Sequence, residues 1–299
     1  MAITKCVNEI TFDPSSEHRV SAIIRGMQPI AGFMTRFDTI STMHAHAHLG
    51  GVGCFMMLIV GVSYKLIPMF TLSEVQSRRR AIYSVGLLNL GLAGSFVTIL
   101  LHSRWKIAFA CLVIAALTIY GVELSAIVRA RKRRPLDWGI KYFLTATALL
   151  LPLSATAGIL AWPGLPMNSF TNQLENMYGF LGFIGAVSLA IIGMLYQIIP
   201  FLVWFARYSR EIGRAKVPSL ADMYSPRLQA AGYWLYLAGL TLTCAATALA
   251  SEAGVRVGCI LLAGSLATVA ANVARMLAHL YRPNIKPLAV RLSTIPAPI

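Results

Sequence analysis

Three histidines stand on alternate residues at the start of a long apolar stretch. His44, His46 and His48 open the segment HAHAHLGGVGCFMMLIVGVSYKLIPMF, which runs to Phe70 with no acidic residue and one lysine near its far end. Neutral imidazole is a strong ligand of haem iron, copper and zinc. Ionisable groups at membrane depth are costly and are functional by default. The cluster therefore predicts a haem or metal site at the mouth of this segment.

The spacing of the histidines separates two kinds of site. His44 and His48 are four residues apart and share one face of a helix, whereas His46 points elsewhere. A haem needs one axial ligand from this cluster, His46 or His48, and a second ligand from His102 or from another chain. A copper or zinc ion would use His44 with His48 as a pair, and His46 and His48 are also candidate metal ligands. The alternative is that these side chains only cap the helix at the level of the lipid headgroups.

The composition is that of a membrane protein. Of the residues, 57% are apolar and 12% are charged, against roughly 25% charged in soluble domains. Continuous apolar runs of about 20 residues can each cross the bilayer as a helix. We predict an all-α, polytopic helical bundle of about seven transmembrane helices over residues 42–282, with a polar segment at 1–41 and a tail at 283–299. The predicted spans are 42–70, 81–101, 105–128, 140–161, 178–205, 230–250 and 255–280.

The net charge of +15 lies in short loops. It indicates membrane topology and contacts to anionic lipid rather than nucleic acid. Cations concentrate at 78–80, 129–134 and 207–227, so these loops are expected on the cytoplasmic side of a bacterial inner membrane, together with the C-terminus. The histidine end of the first span then faces outward. The cationic N-terminal segment would also lie outside, which favours an upstream helix absent from this chain over export regardless of charge.

Few other polar residues suggest chemistry. The five cysteines show no metal-ligand spacing and are expected to be small buried hydrophobic residues. We expect Arg275 to pair with Glu123 as a structural ion pair and His279 to anchor a helix end, a proton-conducting role being the alternative. Nucleotide-binding and hydrolase motifs are absent from the sequence.

A pattern in the first span repeats in the fifth with a shift of 132 residues. The matching pairs are Gly50 and Gly182, Gly53 and Gly185, Gly61 and Gly193, Tyr64 and Tyr196, Ile67 and Ile199, and Pro68 and Pro200. Since four spans separate the copies, this predicts a parallel repeat of four-helix units that start near residues 44 and 176. Tyr178 and Phe180 occupy the places of His46 and His48, so only one copy carries the candidate ligands.

The first span resembles the second helix of the haem–copper oxidase subunit I superfamily. The resemblance rests on HAHAHLGG, on the ending YKLIPMF and on the segment YGFLGFIGAVSLAIIGMLYQIIPFLVWFARYSR. These look most like the short branch related to cbb-type oxidase subunit I and the NnrS proteins. The resemblance implies a fold of parallel four-helix arcs and a histidine in this helix as axial ligand of a low-spin haem.

The chain also departs from that superfamily. Its oxidases carry a copper-ligand histidine in the sixth helix and a histidine pair in the seventh, and spans five and six here contain none. A complete oxygen-reducing centre is therefore not expected, and any enzymatic activity would be that of an oxidoreductase of this type. The expected function is binding of one haem, or electron transfer linked to oxygen or nitric oxide, with other respiratory subunits or a second copy of the chain. The alternatives are a non-enzymatic protein that handles or transports haem, copper or zinc, and a ligand-free partner subunit.

Overall fold

The structure is a computed structural model. It describes residues 38–132, 135–162, 164–166, 168–283 and 285–287. The polar segment before residue 38, including Cys6, and tail residues 288–299 lie outside this part of the chain. The predictions made for them stay predictions.

Seven long helices follow one another in the described residues. They are α1 (Thr39–Thr71), α2 (Arg78–Leu100), α3 (Lys106–Arg129), α4 (Trp138–Leu160), α5 (Ser169–Glu211), α6 (Pro226–Ala248) and α7 (Glu252–Tyr281). All except α6 are long and apolar enough to cross a membrane. The 23 residues of α6 equal α2 in length but are richer in threonine and aromatic residues, and α6 packs along α7. A two-residue antiparallel pair, β1 (Ala215–Lys216) with β2 (Lys286–Pro287), joins the ends of two loops. The predicted all-α bundle is thus confirmed. Among the described residues, six helices rather than the predicted seven are long and apolar enough to be membrane spans.

Local sequence sets the limits of α1. The Asp38 carboxylate caps its first turn by accepting a hydrogen bond from the Ser41 amide at 3.2 Å. The helix ends at Leu72, which has a left-handed backbone with φ 52°. Pro68 lies inside the last turns and is buried. Because proline has no amide hydrogen, it removes one bond of the helical ladder there.

Helices α1 and α5 share an unusual internal feature. Each contains an eight-residue π-helical segment, Leu49–Met56 in α1 and Leu181–Ser188 in α5. The two segments are related by the same shift of 132 residues as the sequence pattern, and Pro68 and Pro200 are both buried inside their helices. Fewer than about 1% of residues in proteins lie in π-helices. Two such segments at equivalent positions therefore support the predicted repeat.

The hairpins that follow α1 and α5 match as well, at a shift of 148 residues. The hydroxyls of Ser77 and Ser225 cap α2 and α6 in the same way. Just after these helices end, His102 and Ala250 both have left-handed backbones, with φ of 49° and 53°. The left-handed backbone of His102 is therefore a helix-ending turn that both copies use.

A buried polar side chain on the third helix of each unit holds the start of the second. Glu123 accepts from the Ser77 amide at 2.8 Å, and Asn272 accepts from the Ser225 amide at 2.8 Å. Both side chains belong to fully buried residues. Glu123 also pairs with Arg80 at 2.7 Å. The predicted pairing of Glu123 with Arg275 is wrong, because the carboxylate faces the first turn of α2 while Arg275 is exposed on α7.

The two units meet where the π segments of α1 and α5 touch. Gly51 of α1 faces the ring of Phe183, to which a Cβ on this glycine would lie at 3.4 Å. The same ring meets Phe55 edge-on, with 6.2 Å between centroids. This contact brings the histidine-bearing end of α1 against the corresponding end of α5.

Candidate functional site

The three clustered histidines lie in the α-helical part of α1, Thr39–His48, which ends where the π segment begins. His46 is exposed, while His44 and His48 are half-buried. Residues two apart on an α-helix are separated by roughly 200° around its axis. The structure therefore does not bring His46 and His48 to one metal position, whereas His44 and His48 share a face as predicted.

A hydrogen bond fixes the state of the His48 ring. Its Nδ1 lies 2.8 Å from the carbonyl oxygen of His44. A carbonyl oxygen can only accept, so Nδ1 carries the hydrogen, and in the neutral ring the lone pair is on Nε2. Metal-binding histidines in proteins almost always hold their second nitrogen in this way. Nε2 of His48 therefore carries the lone pair that could bind a metal ion.

The ring of His48 also has an aromatic neighbour. It stacks on Tyr178 of α5, with 6.0 Å between centroids and 26° between planes. Tyr178 occupies the place of His46 in the second copy, so the two units cross at related positions. From the sequence, Tyr178 was identified only as the residue that stands in place of a histidine in the second copy. Its contact with His48 was not predicted. The contact between α1 and α5 could not be read from a repeat alone.

The second π segment is held by side-chain hydroxyls. The Tyr236 hydroxyl of α6 donates to the carbonyl of Ile184, and the Ser188 hydroxyl donates to the carbonyl of Phe183 at 2.9 Å. A π segment interrupts the regular bonding of the helix, and such segments are frequent at functional sites. Here the two segments border the histidine end of the bundle.

His102 lies beside the start of α1. Its Nε2 is 2.8 Å from the Ser41 hydroxyl, which in turn lies near the Asp38 carboxylate. Ser41 precedes His48 by seven residues, or about 10 Å along the helix. Two histidines on one iron would place their nitrogens roughly 4 Å apart, given metal–imidazole bonds of about 2 Å. The predicted pairing of His48 with His102 is therefore not formed, although both lie at the same end of the bundle.

Asp38 and Ser41 were missed at the sequence level. Their spacing is that of a helix cap, a serine three residues after an aspartate, and that signal marks a helix start rather than a ligand. In the described part of the chain, no three histidine, cysteine, aspartate or glutamate side chains converge as a metal-binding group. The site therefore contains one imidazole with a fixed tautomer, that of His48. The second histidine, His102, is held about two helical turns away at Ser41.

A cavity of about 430 Å³ opens between the first half of α3 and the second half of α4. No histidine lines it. Its lining residues are Ile107, Ala110, Cys111, Ile114, Ala155, Gly158, Ile159, Trp162 and Leu165. It is therefore separate from the histidine cluster.

The opposite end of the bundle carries a different histidine. His279 of α7 contacts Tyr208 of α5, with 2.9 Å between its Nδ1 and the phenol oxygen. Tyr208 is fully buried. This bond agrees with the expected anchoring role of His279 and gives it a packing partner far from His48.

In the loop before α6, outside the spans, hydrogen bonds from Ser219 hold the pKa of Asp222 below its ordinary value. The carboxylate accepts from the Ser219 amide at 2.9 Å and from its hydroxyl at 2.7 Å. This pair shapes a turn at the cation-rich end of the bundle.

Comparison of the chain with protein-family models, with curated proteins and with solved structures finds no significant match.

Proposed function

We propose that this integral membrane protein binds one haem through Nε2 of His48 and serves electron transfer in a membrane redox system. The observation that carries the proposal is the bond from His48 Nδ1 to the His44 carbonyl, which leaves Nε2 as the donor atom. The stacked ring of Tyr178 limits rotation of the imidazole. The resemblance of this helix to the haem-ligand helix of haem–copper oxidase subunit I supports the same assignment.

Among the described residues a haem would have one protein ligand, Nε2 of His48, and the 430 Å³ cavity between α3 and α4 lies apart from it. A second protein ligand would have to come from outside the described helices, because His102 is bonded to Ser41. We infer that another polypeptide, either a respiratory subunit or a second copy of this chain, supplies that ligand. A bound haem would supply one-electron chemistry. The role of the chain is to orient one imidazole, whose Nδ1 is held by the His44 carbonyl.

Oxygen reduction is not part of the proposal. Helices α5 and α6 contain no histidine from which copper ligands could come. The second candidate function is capture of copper or zinc at the outer surface. The exposed position of His46 favours it, because an exposed imidazole is accessible to ions in solution.

The test is an optical difference spectrum of the detergent-purified protein, reduced minus oxidised, after growth with adequate haem supply. We expect a sharp α-band that His48→Ala removes and that His46→Ala preserves. His46→Ala is the matched control, because it removes the same side chain from the same helix at an exposed position. Equal loss of the band in both variants would overturn the assignment of His48 as the specific ligand. A wild-type protein that carries copper and shows no band would favour metal capture instead.

A further inference from the structure

The cavity between α3 and α4 has a consistent chemistry. On α3 its lining runs from Ile107 to Ile114, about 10 Å along the helix. On α4 it runs from Ala155 to Ile159, and Trp162 just after the helix continues it. Its side chains are apolar apart from the Cys111 thiol and the indole nitrogen of Trp162. An apolar cavity of this kind excludes water and accepts hydrocarbon.

The cavity opens to the outside of the bundle. Cys111, Ala155, Ile159 and Trp162 line it and are exposed. The prediction of a buried cysteine is therefore wrong for Cys111. Gly158 keeps the space free, because a Cβ there would already touch Ile114 Cδ1 at 3.7 Å. In a membrane this side of the bundle faces acyl chains, so the cavity is a cleft in the lipid-facing surface.

The charges beside the cleft have one sign. Arg104 and Lys106 stand at the outer end of α3, next to Ile107, and neither 101–115 nor 150–166 contains an acidic residue. Tryptophan is enriched at the level of lipid headgroups, which agrees with Trp162 at the mouth of the cleft. Cations at this level attract anionic lipid.

We propose that this cleft is a binding site for one anionic phospholipid. One acyl chain occupies the apolar space between α3 and α4, and the headgroup phosphate lies between Arg104 and Lys106. Apolar burial of the chain holds the lipid, and the two cations select its headgroup. This site is independent of the haem proposal, because it shares no residue with the histidine cluster.

Native mass spectrometry of the full chain tests the proposal. The protein is delipidated in detergent and then offered dioleoyl phosphatidylglycerol or dioleoyl phosphatidylcholine. We expect one retained phosphatidylglycerol per chain and roughly tenfold weaker retention of phosphatidylcholine. The double variant Arg104→Gln with Lys106→Gln should bind both lipids equally.

Filling the cleft tests its apolar half. Gly158→Leu and Ala155→Leu should abolish retention, and Gly121→Leu is the matched control because it adds the same side chain to α3 at a position with no atom within 4 Å. Alkylation of Cys111 by N-ethylmaleimide, in a variant that keeps only this cysteine, gives a second readout, since bound lipid should slow it severalfold. Unchanged retention in both filled variants, or alkylation insensitive to lipid, would overturn the proposal.

Discussion

At the scale of single residues, the carbonyl of His44 decides which nitrogen of His48 can bind a ligand. Because His44 precedes His48 by four residues on the helix, its carbonyl oxygen lies 2.8 Å from Nδ1 of His48. This bond fixes the tautomer, as a carboxylate does in many metal sites. The exposed His46 has no such constraint. Two neighbouring histidines of identical chemistry thus differ in exposure and in tautomer constraint by position alone.

Glu123 provides a residue-scale prediction. Glu123→Gln keeps an acceptor for the Ser77 amide and loses only the pairing with the partly exposed Arg80, so we expect a loss of stability under about 1 kcal/mol. Glu123→Leu leaves the Ser77 amide without its acceptor, which should cost about 1–3 kcal/mol. The measurement is unfolding in mixed micelles followed by tryptophan fluorescence.

The second unit supplies the control for this prediction. Asn272→Leu removes the equivalent acceptor of the Ser225 amide and should cost about as much as Glu123→Leu. If Glu123→Gln were as damaging as Glu123→Leu, the ion pair rather than the amide cap would be the stabilising interaction.

At the scale of helices, close crossings hold each hairpin together. A Cβ at Gly239 of α6 would lie 2.9 Å from both the Gly258 carbonyl oxygen and the Leu262 amide nitrogen. These are backbone atoms, which cannot move without shifting α7. At Gly86 of α2 the same addition meets nothing within 4 Å. At Gly239, therefore, the crossing of α6 with α7 leaves room only for glycine.

Alanine substitutions test this difference. Gly239→Ala should destabilise the protein by about 1–3 kcal/mol, because α6 and α7 must separate. Gly86→Ala should be neutral or stabilise by up to about 1 kcal/mol, since alanine favours helix. Comparable losses at both positions in unfolding experiments would mean that the crossing at Gly239 is not the cause.

The helices could be predicted from the sequence, because a continuous run of about 20 apolar residues can satisfy its backbone hydrogen bonds in a bilayer only as a helix. The 132-residue repeat was also visible, because glycine, tyrosine and proline recur at one register. The π segments were not visible, since no residue type specifies an added residue in a helical turn. The positions of Tyr178 against His48 and of Arg80 against Glu123 depend on helix packing, which periodicity does not determine.

At the scale of the whole molecule, the surface is that of a protein embedded in lipid. Large apolar side chains point outward from several helices, with Leu58 62% exposed, Leu151 72% and Ile260 69%. Such a surface would drive association in water. Cations gather at the ends of the helices instead, most densely where α2 begins and where α3 and α5 end.

This distribution predicts the orientation. We expect the loop before α2 to face the cytoplasm and the loop before α7 to face outward. In a variant whose five natural cysteines are replaced by alanine, Glu252→Cys should react with a membrane-impermeant maleimide on intact cells. Gln76→Cys, also exposed, should react only after permeabilisation. The reverse pattern would invert the bundle and place the histidines inside.

The most direct test of the central claim is ligand rescue at His48. The difference spectrum of His48→Gly is recorded without and with added imidazole, beside the wild-type protein and His46→Gly. Our account predicts that the α-band of the wild type is absent in His48→Gly, returns when imidazole is added, and persists in His46→Gly throughout. A full α-band in His48→Gly without imidazole would contradict the assignment of His48 as the haem ligand.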